Sequence, residues 1–449
     1  MATTSLLSFL GFSATTEQAN TLATIERFLA GNDHFLIVRG AAGTGKTSIM
    51  SAVTRYLTAN SIIPVPLGPT GRAAKNIGRK TGTPAKTMHS CFYTPKTDVE
   101  EAVVRLERRT NDCPTQQVFI ADESSMVSDR LDNSGDFVAS RSLLADFVDF
   151  VRQGHVLNKI IFVGDACQLP PVGYESREAS PALMAEHLRQ HYGLRGDTIE
   201  LTQVMRQGEG SPILAVADVL RQNMATKRLS VPYSMGQAYY KPAHAIQLYL
   251  ERFTQGQHDR VAILSLSNKY RTECNTQIRT ALGLTGSLAV NDTVTLTQTH
   301  IGQKYVANGE VGIVKALDSR IHRVADLEFA EAEISFKDEH DTEFSIVSLV
   351  LLDALKGALD REQRKALFAA EMRNNRAFQK SQDLRDSLYL SALQLNYGHA
   401  LTVHKAQGSE WDTVIMNTWM HKMDLRFLYT GITRARSELF TNGAHRYVA

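Results

Sequence analysis

Short apolar runs alternate with amphipathic, helix-like stretches over the first third of the chain. Four of these runs are closed by glycine or polar residues, and they occupy residues 35–38, 65–69, 118–121 and 160–163. Apolar runs of this length, separated by helices, predict buried parallel strands. Because open α/β sheets bind ligands at the carboxyl ends of their strands, the four strand ends predict one shared site.

The remaining pattern predicts a second α/β domain that is interrupted by an insertion. This domain begins near Thr198, and its clearest strand is residues 261–266. Apolar and polar residues alternate from 288 to 352, which predicts a small antiparallel barrel or sheet, while the charged segment 356–390 predicts exposed helices. We therefore predict an α/β fold with a first domain at residues 1–197 that carries an insertion at about 91–117, a second domain at 198–287 and 391–449, and an inserted domain at 288–390.

Composition narrows the class of protein. Of the 449 residues, 43% are hydrophobic and 21% are charged, which excludes disorder as the main state. The net charge is only +2, so a histone-like basic mass is excluded, although a local basic groove is not. The four cysteines form no C-x-x-C pair, which argues against a disulfide scaffold or a zinc cluster. With no secretory signal and no apolar run long enough for a membrane span, we expect a soluble cytoplasmic protein.

The strongest chemical signal is a glycine-rich phosphate loop. Residues 40–47 read GAAGTGKT, which matches G-x-x-x-x-G-K-[ST] between an apolar run and a helical pattern. Glycines such as Gly43 and Gly45 let backbone N–H groups approach phosphate, and the following helix presents its positive end. Lys46 can reach the β- and γ-phosphates, and the Thr47 hydroxyl can ligate Mg²⁺. The sequence therefore predicts an ATP and Mg²⁺ site.

A pair of carboxylates closes the third apolar run. Asp122 is placed to hold the Mg²⁺ shell, and Glu123 is placed to orient or deprotonate an attacking water. Taken alone, Asp-Glu at a strand end is more often a solvated turn. Together with the phosphate loop, the pair favours nucleotide hydrolysis.

Further segments, in order along the chain, resemble the motifs of superfamily 1 helicases of the RecD and Dda type. The matching segments are TTEQ at residues 15–18, PTGRAA at 69–74, TMHS at 87–90, DESSMV at 122–127, GDACQLPPV at 164–172, LTQVMRQ at 201–207, TVHKAQGSE at 402–410 and LYTGITRAR at 428–436. The stretch from the first to the last of these segments, residues 15–436, covers nearly the whole chain. The resemblance implies two RecA-like P-loop domains with parallel sheets and an ATP-dependent DNA helicase that moves 5′→3′ on single-stranded DNA.

The resemblance also assigns roles around the nucleotide. Gln18 matches the glutamine whose amide bonds adenine, Gln168 matches the γ-phosphate sensor, and Glu410 matches the carboxylate that contacts ribose. Met205 stands where some of these helicases place an adenine-stacking aromatic, and its thioether can pack on a ring face.

Arginines of the second domain would complete catalysis. Arg206 and Arg434 match the arginines that fork onto phosphate oxygens in the transition state, and Arg436 is the weaker candidate. The alternative for each is a surface ion pair.

The same resemblance predicts a path for nucleic acid. The residues expected to contact the strand are Thr70, Arg72, Thr87 and His89 in the first domain and Thr402, His404 and Lys405 in the second. Hydroxyls and cations of this kind grip phosphate without reading bases, although a threonine at a loop start often only caps a helix.

The insertions match further family elements. Residues 91–117 fall where the family carries its strand-separating pin, with Phe92 and Tyr93 as candidate wedge aromatics or, equally, as packing residues. Residues 288–352 resemble the SH3-like barrel of the 2B domain, and 356–390 occupy the place of an extra helical element.

Alternatives to an unwinding helicase stay open at this point. They are a single-strand translocase or nucleoprotein remodeller without strong unwinding, and a P-loop ATPase that is not a motor. The expected partners are single-stranded and duplex DNA and proteins of single-strand binding, replication or repair, for a chain that acts as a monomer.

Overall fold

Two parallel sheets dominate the computed structural model. It describes residues 5–131, 137–203, 211–231, 237–238, 242–253, 260–301, 305–338 and 342–442. The chain divides into unit 1, residues 1–94, 106–134 and 139–209, and unit 2, residues 95–105, 135–138 and 210–449.

The first two hundred residues contain nine strands and six α-helices within the described ranges. The strands are β1 (Phe35–Gly40), β2 (Ile63–Gly68), β3 (Lys86–Thr87), β4 (Tyr93–Asp98), β5 (Val103–Arg108), β6 (Gln117–Ala121), β7 (Phe137–Ala139), β8 (Lys159–Gly164) and β9 (Gly196–Leu201). The helices are α1 (Thr16–Ala30), α2 (Lys46–Ala59), α3 (Gly71–Thr81), α4 (Met88–Phe92), α5 (Leu143–Gln153) and α6 (Ala185–Tyr192).

Unit 1 is built on a parallel sheet with strand order β3-β2-β6-β8-β1-β9. Its central strands are buried on both faces by two apolar clusters. All four predicted strands are present and parallel, so their carboxyl ends meet at one edge. β9 pairs with β1, and the predicted boundary after residue 197 therefore falls inside a strand of this sheet. The reason is that β9 is an edge strand with polar residues on one face, so it lacks the apolar run that identified its neighbours.

The rest of the chain contributes the remaining elements. Its helices are α7 (Pro212–Ala225), α8 (Pro242–Arg252), α9 (Asn268–Ala281), α10 (Arg361–Asn374), α11 (Arg376–Ser381), α12 (Val403–Ala406) and α13 (Leu425–Ile432). Its strands are β10 (Gln237–Ala238), β11 (Val261–Ser265), β12 (Thr293–Leu296), β13 (His300–Ile301), β14 (Tyr305–Val306), β15 (Val311–Val324), β16 (Leu327–Lys337), β17 (Glu343–Leu351), β18 (Leu395–Tyr397), β19 (Ala400–Thr402), β20 (Trp411–Met416) and β21 (Ala435–Thr441).

Unit 2 contains a second parallel sheet and an antiparallel one. The parallel order is β10-β21-β20-β11-β19, and the antiparallel order is β17-β16-β15-β12-β18. The antiparallel sheet encloses its own apolar cluster, as the alternating pattern predicted. β18 pairs with β12, so this sheet extends beyond the predicted end of the insertion at residue 390. Among the described residues, no helix is long and apolar enough to cross a membrane.

The predicted exposed helices have one buried face. Phe378 of α11 is fully buried and Phe368 of α10 is nearly so, and both pack against Ala102 in the turn between β4 and β5. Arg361 forms an ion pair with Glu101 of the same turn. A contact between residues about 260 positions apart leaves no trace in local patterning.

A buried ion pair joins α9 to the start of the antiparallel sheet. The Arg279 guanidinium donates to both oxygens of Asp292, at 2.7 and 3.0 Å, and lies 4.3 Å from the centre of the Tyr397 ring. Asp292 also accepts a hydrogen bond from the Ala289 N–H at 2.7 Å.

We predict that Arg279→Ala destabilises unit 2 by about 3–5 kcal/mol, because it leaves the fully buried Asp292 carboxylate without its counter-charge. Arg323→Ala is the matched control, since the Arg323–Glu328 pair is exposed and such pairs contribute about 0–1 kcal/mol. Differential scanning calorimetry of both variants measures the difference. Equal losses of stability in the two variants would show that the buried ion pair stabilises unit 2 no more than the exposed pair does.

Candidate nucleotide site and nucleic-acid contacts

The phosphate loop joins β1 to α2 in a conformation that requires glycine. Gly43 and Gly45 have φ of 83° and 84°, in the left-handed region that side chains disfavour. A Cβ added to Gly45 would also lie 2.7 Å from the amide nitrogen of Gln18. The loop therefore delivers the open N-terminal N–H groups of α2, which begins at Lys46, to the carboxyl edge of the sheet.

Lys46 lies folded over this loop. Its ammonium donates to the carbonyl oxygens of Gly40 and Ala41 at 2.6 and 2.8 Å. Carbonyls carry only partial negative charge, so a phosphate oxygen is a stronger partner for the same ammonium. Thr47 follows in the first turn of α2, partly exposed, with its hydroxyl available as an oxygen donor for a cation.

Gln18 lies where the resemblance placed it, beside the loop, but its oxygen has a structural role. The side-chain Oε1 accepts from the Thr15 N–H at 3.2 Å, and the Thr15 hydroxyl accepts from the Gln18 N–H at 3.2 Å. This capping box fixes the start of α1. The amide nitrogen, directed at Gly45, is the part of the side chain that remains for a nucleotide base.

The two carboxylates follow β6, two strands from β1 in the same sheet. The Asp122 carboxylate accepts from the Glu123 N–H at 2.9 Å, and Glu123 itself has a left-handed backbone, with φ of 50°. Such a conformation is costly for a residue with a side chain and is concentrated at functional sites. Burial raises the pKa of Asp122, and the positive charges of Lys46 and Lys80 oppose this rise. The ammonium of the phosphate loop and the Asp122 carboxylate are therefore close enough to interact.

Gln168 comes after β8, which is the strand between β6 and β1 in the sheet. The turn is fixed by the Asp165 carboxylate, which accepts from the Cys167 N–H at 2.9 Å. Gln168 is only 4% exposed, and its Oε1 has no hydrogen-bond partner among the described residues. A buried, unsatisfied amide costs about 1–3 kcal/mol, and such groups in native structures often await a ligand or a water.

Arg434 follows α13 in unit 2 and is only 4% exposed. Its guanidinium donates to the carbonyls of Thr430 and Ser409 at 3.0 and 3.3 Å and to the Thr433 hydroxyl at 3.1 Å. Among the described residues, no carboxylate lies within ion-pair distance of it. A buried cation held by neutral oxygens retains its full charge for an anion.

Arg436 and Glu410 have a different setting. The Arg436 guanidinium pairs with Glu410 at 3.3 Å and with Asp412 at 3.7 Å, and all three side chains are partly exposed. The geometry therefore favours Arg434 over Arg436 as a catalytic cation. Arg206, the other predicted arginine, and Met205 lie outside the described residues.

Both threonines predicted to contact nucleic acid in unit 1 cap helices. The Thr70 hydroxyl accepts from the Ala73 N–H at 3.2 Å at the start of α3, and the Thr87 hydroxyl accepts from the Ser90 N–H at 3.1 Å at the start of α4. The caps place two helix N-termini at the carboxyl edge of the sheet, where backbone N–H groups can meet phosphate. His89 is exposed in the first turn of α4.

The α3 helix carries a basic face, of which the sequence analysis identified only Arg72 as a contact for nucleic acid. Lys75 and Arg79 follow at the i+3 and i+7 positions, Lys80 adds a further cation, and the helix contains no acidic residue. This spacing places Arg72, Lys75 and Arg79 on one side of the helix, and it could have been read from the sequence.

Phe92 and Tyr93 are core residues, so of the two roles predicted for them the structure shows packing and no exposed wedge. Phe92 is fully buried and stacks on Phe147 with ring centres 4.9 Å apart. Tyr93 is 3% exposed, and its hydroxyl donates to the Asp146 carboxylate at 2.8 Å. Burial and this hydrogen bond raise the pKa of Tyr93.

In unit 2, Thr402 ends β19 and is buried, and α12 carries His404 and Lys405 directly after it. Burial lowers the pKa of His404, and Asp424 opposes the change. Lys405 reaches solvent, yet desolvation of its ammonium lowers its pKa, and the charge of Arg271 adds to this. Arg271 lies in the first turn of α9, and no described carboxylate pairs with either cation. Sequence reasoning missed Arg271.

Comparison with known proteins gives two family matches. An AAA domain matches residues 14–237, and a UvrD-like helicase C-terminal domain matches residues 397–440. The ATP-dependent RecD2 DNA helicase of Deinococcus radiodurans is 28% identical over 426 residues, 93% of this chain and 48% of that protein. These matches support a relationship of the chain to superfamily 1B helicases of the RecD/Dda type.

A second relative of this helicase family is the ATP-dependent DNA helicase dda of Enterobacteria phage T4, 27% identical over 45% of this chain and 42% of that protein. The chain thus spans about half the length of the curated relatives that it matches first. Among solved structures, Pif1 helicase from Bacteroides with ADP-AlF3 and ssDNA has a TM-score of 0.51 and 16% identity, covering 96% of this chain and 93% of that one. At this identity the similarity shows the fold, a RecA-like α/β architecture.

We predict that Gly45→Ala weakens nucleotide binding by at least roughly ten-fold, because the new methyl group would strain the backbone and displace Gln18. Gly82→Ala is the matched control: Gly82 also has a left-handed φ, of 67°, but a Cβ there meets nothing within 4 Å. Titration with a fluorescent ATP analogue measures the nucleotide affinity of both variants. A comparable loss of affinity in the two variants would contradict the proposed role of the close contact.

Proposed function

We propose that the protein is an ATP-dependent DNA helicase that moves along single-stranded DNA, with the 5′→3′ polarity of its family, and separates duplex DNA. The observation that carries this proposal is the buried Arg434 of unit 2, which has no carboxylate partner among the described residues. Unit 1 contains Lys46, Asp122 and Glu123, the residue types that bind and hydrolyse a nucleotide. An arginine of this kind assists phosphoryl transfer in motors and in other P-loop enzymes alike, so the motor function is inferred from the similarity to helicases and is tested by DNA stimulation of hydrolysis.

Each nucleotide-site residue has a defined task in this proposal. The N-terminal N–H groups of α2 and the Lys46 ammonium bind the β- and γ-phosphates. The Thr47 hydroxyl and the Asp122 carboxylate are the hard oxygen donors that suit Mg²⁺, which supplies charge neutralisation on the phosphates when bound. Glu123 orients the attacking water and accepts its proton, and Gln168 detects the γ-phosphate from its buried position. Arg434 stabilises the charge of the transition state.

The cations and helix N-termini at the two sheet edges would hold the DNA backbone. The basic face of α3 contributes from unit 1, and Arg271 and Lys405 contribute from unit 2. Contacts of this kind bind phosphate without reading base sequence, so binding should be independent of sequence and sensitive to salt.

The hairpin of β4 and β5 is our candidate for the strand-separating pin, and the antiparallel sheet of unit 2 is our candidate for the 2B domain. Ala102 at the hairpin turn packs on Phe368 and Phe378, and Glu101 pairs with Arg361. β4 and β5 form only a small three-stranded sheet with β7, so this attachment of the turn would stiffen the hairpin against the load of a duplex.

A translocase without strong unwinding is the second candidate function. The burial of both Phe92 and Tyr93 favours it, because the hairpin then lacks the aromatic wedge that the family resemblance led us to expect. The unwinding experiment below separates the two candidates.

The test of the proposed function is ATPase activity with and without single-stranded DNA, followed by unwinding of 5′-tailed and 3′-tailed duplexes. We expect DNA to stimulate hydrolysis and only 5′-tailed duplexes to be unwound, with Lys46→Ala as the inactive reference. Arg434→Lys, which keeps the charge but loses the fork, should lower the hydrolysis rate by roughly 10³-fold or more with little change in nucleotide affinity. Arg436→Ala should lower the hydrolysis rate far less.

Absence of DNA stimulation would refute the motor. Stimulation and movement without duplex separation would establish the translocase instead. Equal losses of affinity and rate in Arg434→Lys would leave that arginine a binding role only.

We predict that Ala102→Asp uncouples unwinding from movement. A carboxylate without a partner in this apolar cluster costs at least about 1–3 kcal/mol, which is enough to detach the hairpin turn from Phe368 and Phe378. DNA-stimulated ATPase should persist while the unwinding rate falls at least several-fold. Glu100→Ala, at an exposed position of the same turn, is the control. Unchanged unwinding in Ala102→Asp would exclude the hairpin as the separating element.

A further inference from the structure

A short loop at the carboxyl end of β20 presents an exposed tryptophan. The loop, residues 417–424, connects β20 to α13, and the Trp419 side chain is 48% exposed. The other tryptophan of the chain, Trp411, is 2% exposed. β20 lies next to β11 in a parallel sheet, and β11 is adjacent to β19. Trp419 therefore lies at the same edge as the end of β19, where ligands of such sheets bind.

The loop holds this ring in place with hydrogen bonds of its own. The Asn442 side-chain oxygen Oδ1 accepts from the Thr418 N–H at 2.9 Å and from the Thr418 hydroxyl at 2.6 Å. The Asn417 side chain accepts from the Trp419 N–H at 2.9 Å and from the Asn442 amide at 2.8 Å. The next residue, Met420, is buried and anchors the loop to the unit. Exposure of Trp419 is thus a fixed feature of the loop.

Cationic and aromatic groups surround the ring. The His421 ring packs edge-on against Trp419, with centroids 4.4 Å apart and planes at 72°, which leaves the broad ring surface partly open. Lys422 is exposed beside it. One intervening strand separates β20 from β19, so the ends of these two strands lie about 10 Å apart along the edge, with Trp419 in the loop after one and His404 and Lys405 after the other. An aromatic face beside phosphate-binding cations is the pattern of a single-strand binding surface.

We propose that Trp419 is a stacking platform for one base of single-stranded DNA, with Lys422 contacting an adjoining phosphate. This inference rests on the proposed function, since it needs a strand to run along this edge of unit 2. The stacked base is bound through its ring face, so the site should accept any of the four bases.

The two tryptophans provide a direct assay. Intrinsic fluorescence of the full chain is titrated with an oligothymidine, and the exposed Trp419 should be quenched while the buried Trp411 is not. Trp419→Phe should abolish the quenching and retain most of the affinity, whereas Trp419→Ala should weaken binding by roughly 5- to 150-fold. Phe12→Ala removes another exposed aromatic, 52% exposed in unit 1, and should leave binding unchanged.

An abasic oligonucleotide distinguishes stacking from phosphate contact. Trp419→Ala and the unaltered protein should bind it with equal affinity, because no base is present to stack. Equal binding of oligothymidine by the unaltered protein and Trp419→Ala, with DNA-stimulated ATPase intact, would overturn the platform and leave the helicase proposal standing. An equal loss for both oligonucleotides would mean that Trp419 only supports the loop. Failure of the unaltered protein to bind any oligonucleotide would instead refute the proposed function.

Discussion

A buried cation that no carboxylate neutralises needs an anion from elsewhere. Arg434 is enclosed by unit 2 and bonds only to carbonyl and hydroxyl oxygens of the described residues. Lys46 in unit 1 differs, because it is only partly buried, its ammonium donates to two carbonyls of the phosphate loop, and the Asp122 carboxylate lies near enough for the two charges to interact. Folding energy alone would favour pairing or removing such charges. In the function that we propose, a phosphate group supplies the negative charge that is missing around Arg434, which explains why the arginine is retained.

The parallel sheets bring the remaining groups to the same place for a simple geometric reason. All strands of a parallel sheet end at one edge, so side chains far apart in sequence become neighbours without any long-range specificity in the chain. Asp122, Gln168 and the phosphate loop follow three adjacent strands in this way. Strain is then tolerated locally: Glu123 adopts a left-handed backbone, and the Gln168 oxygen has no hydrogen-bond partner within the part of the chain that the structure describes. Both features cost stability in the protein alone and become useful only with a ligand present.

How far the sequence could predict this structure depended on the range of the interactions involved. The phosphate loop and the buried strands were predictable because each is encoded within about ten residues, by glycine spacing or by an apolar run. The edge strand β9 was not, because its polar face conceals it. Phe92 and Tyr93 show the limit most clearly: an aromatic residue in a polar segment can point either way, and only the packing of Phe147 and the hydroxyl partner Asp146 decide that they point inward. The Arg271–Lys405 pair and the contacts of Ala102 with α10 and α11 join residues more than a hundred positions apart, so local patterning could not reveal them.

Unit 2 contains a short physical connection between its two expected ligands. Asp424 is the N-cap of α13; its carboxylate accepts from the Phe427 N–H at 2.9 Å and its charge acts on His404. The helix ends beside Arg434, which donates to the Thr430 carbonyl. Eight residues of α-helix span about 12 Å. Because α13 is almost entirely buried, it can transmit a displacement as a rigid body, so the loop that holds Trp419 and Arg434 can move together. The motor that we propose would require a coupling of this kind between its grip on DNA and nucleotide hydrolysis, and α13 would provide it without a long relay of side chains.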